Sequence, residues 1–449
     1  MVVHDDWKIK EPNISAYSLV SGLSLRANFS WTFLGNVVYA GCQWGMLVVL
    51  AKLGSPEMVG QFALGLALTA PVIMFASLHL RAVQATDARS EYLFGDYLSL
   101  RLITTALALV VIGGITLGSG YRRETSLVIV AVGTAKAFES ISDAFYGLLQ
   151  RHERMDYIAK SMMIKGLLSL SVLGVMIYLM GSVFWGVVGL VVAWAFILVC
   201  YDIRNGALIL KSRSQLGAPA SDESAQESVL RPRWEMRTLV RLAWLALPLG
   251  FVMLLLSLNA NIPRYFIERY LGERELGIFA AIAYSQIAGT TLVSALGESA
   301  SPRLAKYYAA GNSLAFRMLL LRLLGIGALL GGAGVLVALV AGRELLALLY
   351  RPEYAEYEVF VRLMVAVGIM YLDSFLGYGM TAARYFRAQI PLAALATIST
   401  VLACLWLIPS DGLRGAATAI IVATSVKIVG SLAVVLYALH ALRRRLGRG

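Results

Sequence analysis

The chain has 449 residues, 59% of them hydrophobic and 15% charged, with a mean hydropathy of +0.72 and a formal net charge of +12. Soluble domains carry about 25% charged residues, so this composition excludes a water-soluble globular fold. In an apolar chain, an excess of Lys and Arg marks loop topology and does not point to nucleic acid.

Residues 1–27 hold Asp5, Asp6 and Glu11 and no apolar core. They predict a cytosolic arm and not a cleavable signal peptide. A spanning helix needs about 20 mostly apolar residues. Six such segments follow in the first half, at 28–50, 59–79, 97–117, 125–149, 157–180 and 182–201. Six more lie in the second half, at 240–262, 276–296, 316–340, 360–382, 390–408 and 415–440. The expected fold is therefore an all-α polytopic membrane protein of about twelve transmembrane helices. An N-terminal six-helix bundle (28–203) and a C-terminal one (238–440) are joined by a polar linker (204–237), and a basic tail (441–449) follows. The linker composition, rich in Ser, Ala and Glu from 214 to 228, suits a flexible segment.

With the N-terminus placed inside, 27 of the 39 Lys and Arg fall on the inner side, 10 on the outer side and two, Lys136 and Lys427, within spans. The bias predicts that both termini are cytoplasmic. Cys42, Cys200 and Cys404 each lie in an apolar run without metal-ligand spacing, which makes them small apolar filler. No phosphate-binding loop, metal cluster or catalytic triad is legible, so no cofactor, no metal and no enzymatic chemistry are expected.

The halves resemble each other. Leu53-Gly-Ser-Pro-Glu-Met-Val-Gly-Gln-Phe-Ala follows the first span and Leu271-Gly-Glu-Arg-Glu-Leu-Gly-Ile-Phe-Ala the seventh. Tyr146-Gly-Leu-Leu-Gln-Arg lies between the fourth and fifth spans, and Tyr378-Gly-Met-Thr-Ala-Ala-Arg between the tenth and eleventh. Six spans precede the second copy, so the bundles are expected to be related by a pseudo-twofold along the membrane normal. These turns, with Ala300-Ser-Pro-Arg-Leu-Ala-Lys after the eighth span, resemble those of the polysaccharide (O-antigen type) flippases. That family sits in the multidrug/oligosaccharidyl-lipid/polysaccharide exporter superfamily.

The resemblance implies a V-shaped pair of bundles in the cell inner membrane, working by alternating access. The expected activity is transfer of a polyprenyl-diphosphate-linked oligosaccharide to the outer leaflet, coupled to an ion or to the membrane potential. Expected partners are this lipid-linked oligosaccharide, membrane lipids, and the polymerase and glycosyltransferases of the pathway, with no nucleic acid. A cation-coupled multidrug antiporter of the same fold is the alternative. A membrane enzyme acting on lipid-linked glycans is the second, but the longest outer segment, 341–359, holds no acid/base constellation.

Charges inside a span are costly and point to function or to a buried partner. Lys136, Glu139 and Asp143 share one helix face with Ser140, while Phe138 and Phe145 lie opposite. Either Lys136 and Glu139 form a structural pair, or the face lines a cavity in which Lys136 meets phosphate and Glu139 and Asp143 exchange an ion. Asp373 is placed as the counterpart of Asp143, with Lys427 as structural partner or as a second phosphate contact. Polar stripes in the first span (Thr32, Asn36, Tyr39, Gln43) and the eighth (Tyr284, Thr291, Ser294, Glu298) suit either helix packing or sugar hydroxyls. Asn36, Tyr39, Gln43 and Thr291 are taken as candidate substrate contacts. Pro71 and Pro248 predict kinks in the second and seventh spans.

Overall fold

A computed structural model describes residues 23–87, 91–215 and 230–446, and all regular structure among them is helical. The helices are α1 (Leu25–Leu53), α2 (Pro56–Ser77), α3 (Leu80–Thr86), α4 (Phe94–Gly118), α5 (Arg123–Arg151) and α6 (Met155–Met180). Helix α7 (Val183–Ile197) continues through a π-helical segment (Leu198–Ile203) into α8 (Arg204–Gln215). The second half comprises α9 (Met236–Leu271), α10 (Glu273–Tyr284), α11 (Ile287–Ala309), α12 (Ser313–Leu349), α13 (Tyr357–Ala382) and α14 (Phe386–Leu446).

Local chemistry sets the helix ends. Ser55 caps α2 by accepting a hydrogen bond from the Met58 N–H, and Pro56 occupies the first turn, where its missing N–H costs nothing. Asn312 caps α12 in the same way through the Ala315 N–H. Gly181, at φ 60°, closes α6 in the left-handed conformation that glycine adopts without strain.

Ten helices are long and apolar enough to cross a bilayer, and the bent pair α10–α11 makes an eleventh span. The apolar stretch 388–442 of α14 contains 55 residues. At 1.5 Å per residue it would reach roughly 80 Å, far beyond the ~30 Å hydrocarbon layer. Gly412, at φ 59° and ψ −135°, interrupts it, and a Cβ on Gly415 would strike the Leu407 carbonyl. The chain turns back there, so among the described residues this stretch is long enough for two spans.

Two packing contacts recur in the two halves of the sequence. The first helix packs on the fifth span (α1 on α6, α9 on α14), and the fourth span is the hub (α5, α13). The halves meet along α2, which packs against α9 and α10. The repeated Leu-Gly turns cross here reciprocally. A Cβ on Gly60 would lie 1.8 Å from the Glu273 carbonyl oxygen, and one on Gly277 would lie 1.9 Å from that of Pro56. Gly60 and Gly277 are equivalent positions of the repeat, and Pro56 and Glu273 each stand four residues before them, at the start of α2 and α10. No other residue type permits this backbone approach.

This crossing lies at the helix ends opposite the linker. Around it Thr125 donates to Glu273 Oε1 at 2.5 Å, Lys52 donates to the Leu348 carbonyl at 2.9 Å, and Trp44 Nε1 donates to the Tyr350 hydroxyl at 3.0 Å. Prolines fall within α2 (Pro71) and α9 (Pro248 and Pro263), the last unforeseen from the sequence.

Two boundaries differ from the sequence expectation. The sixth span does not end at 203 but runs as helix to Gln215, where Gly206 closes on Phe145 and Ile209 and Leu210 pack into the apolar clusters of α5. Residues 230–235 lie against the start of α4, with the Arg233 N–H donating to the Gly95 carbonyl at 3.2 Å. Most of the expected arm, the polar stretch 216–229 and the last three tail residues lie outside the described residues.

Candidate functional site

Helix α5 places its polar face toward a cavity of about 540 Å³ in the first half. The wall includes Tyr39 of α1, Arg81 of α3, Arg101 of α4, Lys136, Glu139, Asp143 and Tyr146 of α5, and Lys165 of α6. His79, Arg81 and Gln150 carry the wall to the helix ends on the linker face. Phe145, on the opposite side of α5, packs against Phe94 with ring centroids 5.2 Å apart.

The charges interlock. Lys136 Nζ lies 2.7 Å from Glu139 Oε2, and the Tyr39 hydroxyl donates to Glu139 Oε1 at 2.6 Å. Asp143 bridges two guanidinium groups, Arg101 at 3.0 Å and Arg81 at 3.4 Å. Arg101 is 1% exposed and also reaches Ser140 at 3.4 Å. Arg81 donates to Gln150 at 2.9 Å. Two ammonium groups share one aromatic platform. Lys136 Nζ lies 5.1 Å and Lys165 Nζ 5.9 Å from the Trp194 ring, whose own N–H donates to Ser169 at 2.7 Å.

Four cations against two carboxylates leave the lining with a net charge of +2. The side chains of Lys136, Glu139 and Asp143 remain 25–30% exposed, so they are hydrated and reachable. Thus Lys136 and Glu139 are paired and also face the cavity, which joins two readings that the sequence had set against each other. The arrangement can hold an anion by charge-assisted hydrogen bonds.

The other sequence-predicted residues are dispersed. Gln43 is half-buried on α1, one turn beyond Tyr39. Asn36 is exposed and lines no cavity with Tyr39. Thr291 bonds to its own helix at Ile287 and lines a separate apolar groove of about 300 Å³ between α1 and α10–α11, with Phe33, Val37 and Trp44. The bend after Tyr284 turns this face of α11 toward α1. Lys427 and Asp373 pair at 2.8 Å in a pocket of about 320 Å³ in the second half, where Ser431 also donates to Asp373 at 2.7 Å. Asp373 is not the counterpart of Asp143 in its contacts. It binds α14, whereas Asp143 binds α3 and α4.

Sequence reasoning counted Arg81, Arg101 and Lys165 as loop charges, yet all three line the cavity. The signal was present for two of them, since Arg101 lies inside the 97–117 segment and Lys165 inside 157–180. The inner-side excess of Lys and Arg survives their removal. Tyr146 was read only as part of a turn motif and Asp202 not at all. Among the described residues no group of His, Cys, Asp and Glu could hold a metal ion.

Comparison with known proteins agrees with this architecture. A relative from Staphylococcus aureus, the capsular polysaccharide biosynthesis protein CapF, is 28% identical over 407 residues, covering 90% of this chain and 97% of that protein. The solved lipid II flippase MurJ, in an inward closed conformation, superposes with a TM-score of 0.63 at 11% identity, covering 93% of this chain and 91% of that one. A mutant of the Vibrio cholerae MATE transporter VcmN gives 0.59 at 16%, covering 96% and 98%. A MOP-superfamily transporter from Pyrococcus furiosus gives 0.59 at 15%, covering 95% and 98%. These structures share the fold. The signature of the polysaccharide biosynthesis protein family matches residues 25–308, more than half of the sequence. The chain therefore belongs to the polysaccharide biosynthesis protein family.

Proposed function

We propose that the chain is a flippase that moves a polyprenyl-diphosphate-linked polysaccharide repeat unit from the cytoplasmic to the outer leaflet of the inner membrane. The observation that carries this reading is the net positive, partly hydrated cavity of Arg81, Arg101, Lys136 and Lys165. A diphosphate is the anionic part of such a lipid, and several cations around one hydrated pocket suit it better than a single point charge. The apolar groove beside α1, with Phe33, Val37 and Leu292, offers the prenyl chain a contact at the membrane-facing edge of the first half. Sugar hydroxyls would meet Tyr39, Ser77 and Gln150.

Direction follows from the orientation assigned by the positive-charge bias. The linker face is then cytoplasmic, and the Gly60–Gly277 crossing closes the outer side. Alternating access requires that crossing to part while the cavity closes on the linker side. The antiporter alternative fits less well, because an organic cation would meet a lining of its own sign. Family membership and the transporter fold favour transport over catalysis.

The test is flipping in proteoliposomes that contain a fluorescent polyprenyl-diphosphate sugar, read by protection of the label from a membrane-impermeant quencher. Protein-dependent transfer is expected, and an undecorated polyprenyl monophosphate should move more slowly. Transfer of a cationic dye with no transfer of the lipid-linked sugar would overturn the proposal in favour of the antiporter.

A further inference from the structure

Behind the cavity lies a carboxylate that the transport reading leaves unused. Asp202 sits in the π-helical segment Leu198–Ile203, where α7 runs into α8. Such segments are rare and often occur at functional sites. The residue is 0% exposed. Ser161 donates to its Oδ1 at 2.6 Å, while Oδ2 is buried without a hydrogen-bond partner. The Ser142 hydroxyl is likewise buried without a hydrogen-bond partner. This buried, incompletely satisfied acid calls for an account.

A single chain of hydrogen bonds ties it to the cavity. Lys165 Nζ contacts the Tyr146 hydroxyl at 3.2 Å, Tyr146 contacts Ser161 Oγ at 2.7 Å, and Ser161 contacts Asp202 at 2.6 Å. An ammonium can only donate, and a carboxylate can only accept. Valence therefore fixes every intermediate proton: Lys165 donates to Tyr146, Tyr146 to Ser161, and Ser161 to Asp202. Lys165 lines the cavity and Asp202 does not.

The groups facing the acid are few. Helix α5 contributes Tyr146 and Ser142, α6 contributes Ser161 and Lys165, and Tyr201 is its neighbour in the π segment. Glu139 and Arg81 act on Tyr146, and Asp156 acts on Tyr201. Lys165 is the cation at the far end of this hydrogen-bond chain, and it also faces the transport cavity.

We propose that Asp202 is a proton site coupled to cavity occupancy: an anionic diphosphate draws the Lys165 ammonium toward itself, and Asp202 then takes up one proton through Tyr146 and Ser161. The trigger rests on the diphosphate reading of the cavity; the proton site does not. A buried carboxylate whose cation has been withdrawn is costly, and the neutral acid avoids that cost. The transfer balances. Cavity water gives a proton to the Tyr146 oxygen that Lys165 has vacated, Tyr146 passes its own proton to Ser161, and Ser161 passes its own to Asp202. Solvent loses one proton, the carboxylate gains one, and the chain of donors reverses. When the diphosphate leaves, Lys165 returns and expels the proton. Binding of the anion and carriage of a proton thus become linked steps.

The experiment uses the full chain in nanodiscs with farnesyl diphosphate as probe. Calorimetry in buffers of different ionisation enthalpy reads proton uptake on binding. Asp202→Asn should bind the probe within a few-fold of wild type but take up about one proton fewer per bound molecule. Infrared difference spectra should show a protonated-carboxyl band on probe addition that Asp202→Asn lacks and that Tyr146→Phe delays or removes. Equal proton uptake in wild type and Asp202→Asn would overturn the proposal, as would a band that persists in the variant. If farnesyl diphosphate fails to bind wild type, the diphosphate reading fails. The proton site then stands or falls on whether a pH-dependent carboxyl band is lost in Asp202→Asn.

Discussion

Replacing Lys136 by methionine separates a binding role from a structural one, because the structure assigns the two roles different magnitudes. The Lys136–Glu139 pair is short, 2.7 Å, but its side chains are 25% and 28% exposed and three residues apart on one helix. Pairs of that kind contribute at most about 1 kcal/mol. Glu139 would also keep the Tyr39 hydroxyl at 2.6 Å. The stability loss should therefore be about 1 kcal/mol or less, a melting shift of roughly 2 °C for a chain of this size. A charge-assisted hydrogen bond to a diphosphate is worth about 1.5–3 kcal/mol, which is roughly 10- to 150-fold in affinity. Lys136→Met should therefore weaken binding of a fluorescent polyprenyl diphosphate by that factor and slow flipping in parallel, while Lys136→Arg retains part of both. A melting point lowered by many degrees with unchanged affinity would refute the reasoning and leave Lys136 as a structural partner of Glu139.

Asp143→Asn removes the carboxylate from a guanidinium, Arg101, that is 1% exposed and has no other acidic partner. Uncompensated buried charge should cost about 3 kcal/mol, visible as a clear loss of thermal stability, and Arg101→Met in the same chain should recover part of it. A melting curve identical to wild type would show that Arg101 is hydrated rather than buried. Gly60→Ala puts a methyl group where the Glu273 carbonyl oxygen lies 1.8 Å away, so α2 and α10 must separate. Thiol labelling of a cysteine introduced at Gln61, in a background lacking Cys42, Cys200 and Cys404, should accelerate in the glycine variant. Unchanged labelling would mean that the crossing yields elsewhere.

The all-helical membrane architecture and its spans were legible because lipid demands long apolar helices whatever their neighbours. The repeat turns were legible as well, and so was the polar face of α5, because the spacing of Lys136, Glu139 and Asp143 is a local property of one helix. Sequence could not say that the glycines of the two turns meet, since that contact lies between halves more than two hundred residues apart. Nor could it say that Arg101 and Lys165, which stand inside predicted spans, turn toward one cavity, because only the packing of the neighbouring helices decides what a charged face meets. Thr291 and Asn36 carry polar groups at helical spacing, but only the bend before α11 and the packing of α1 decide where those groups point. Asp202 stands one residue past the sixth apolar segment, beside Arg204 and Asn205, where it reads as a boundary charge. Its partners arrive from α5 and α6, so its connection to the cavity exists only once three helices pack together.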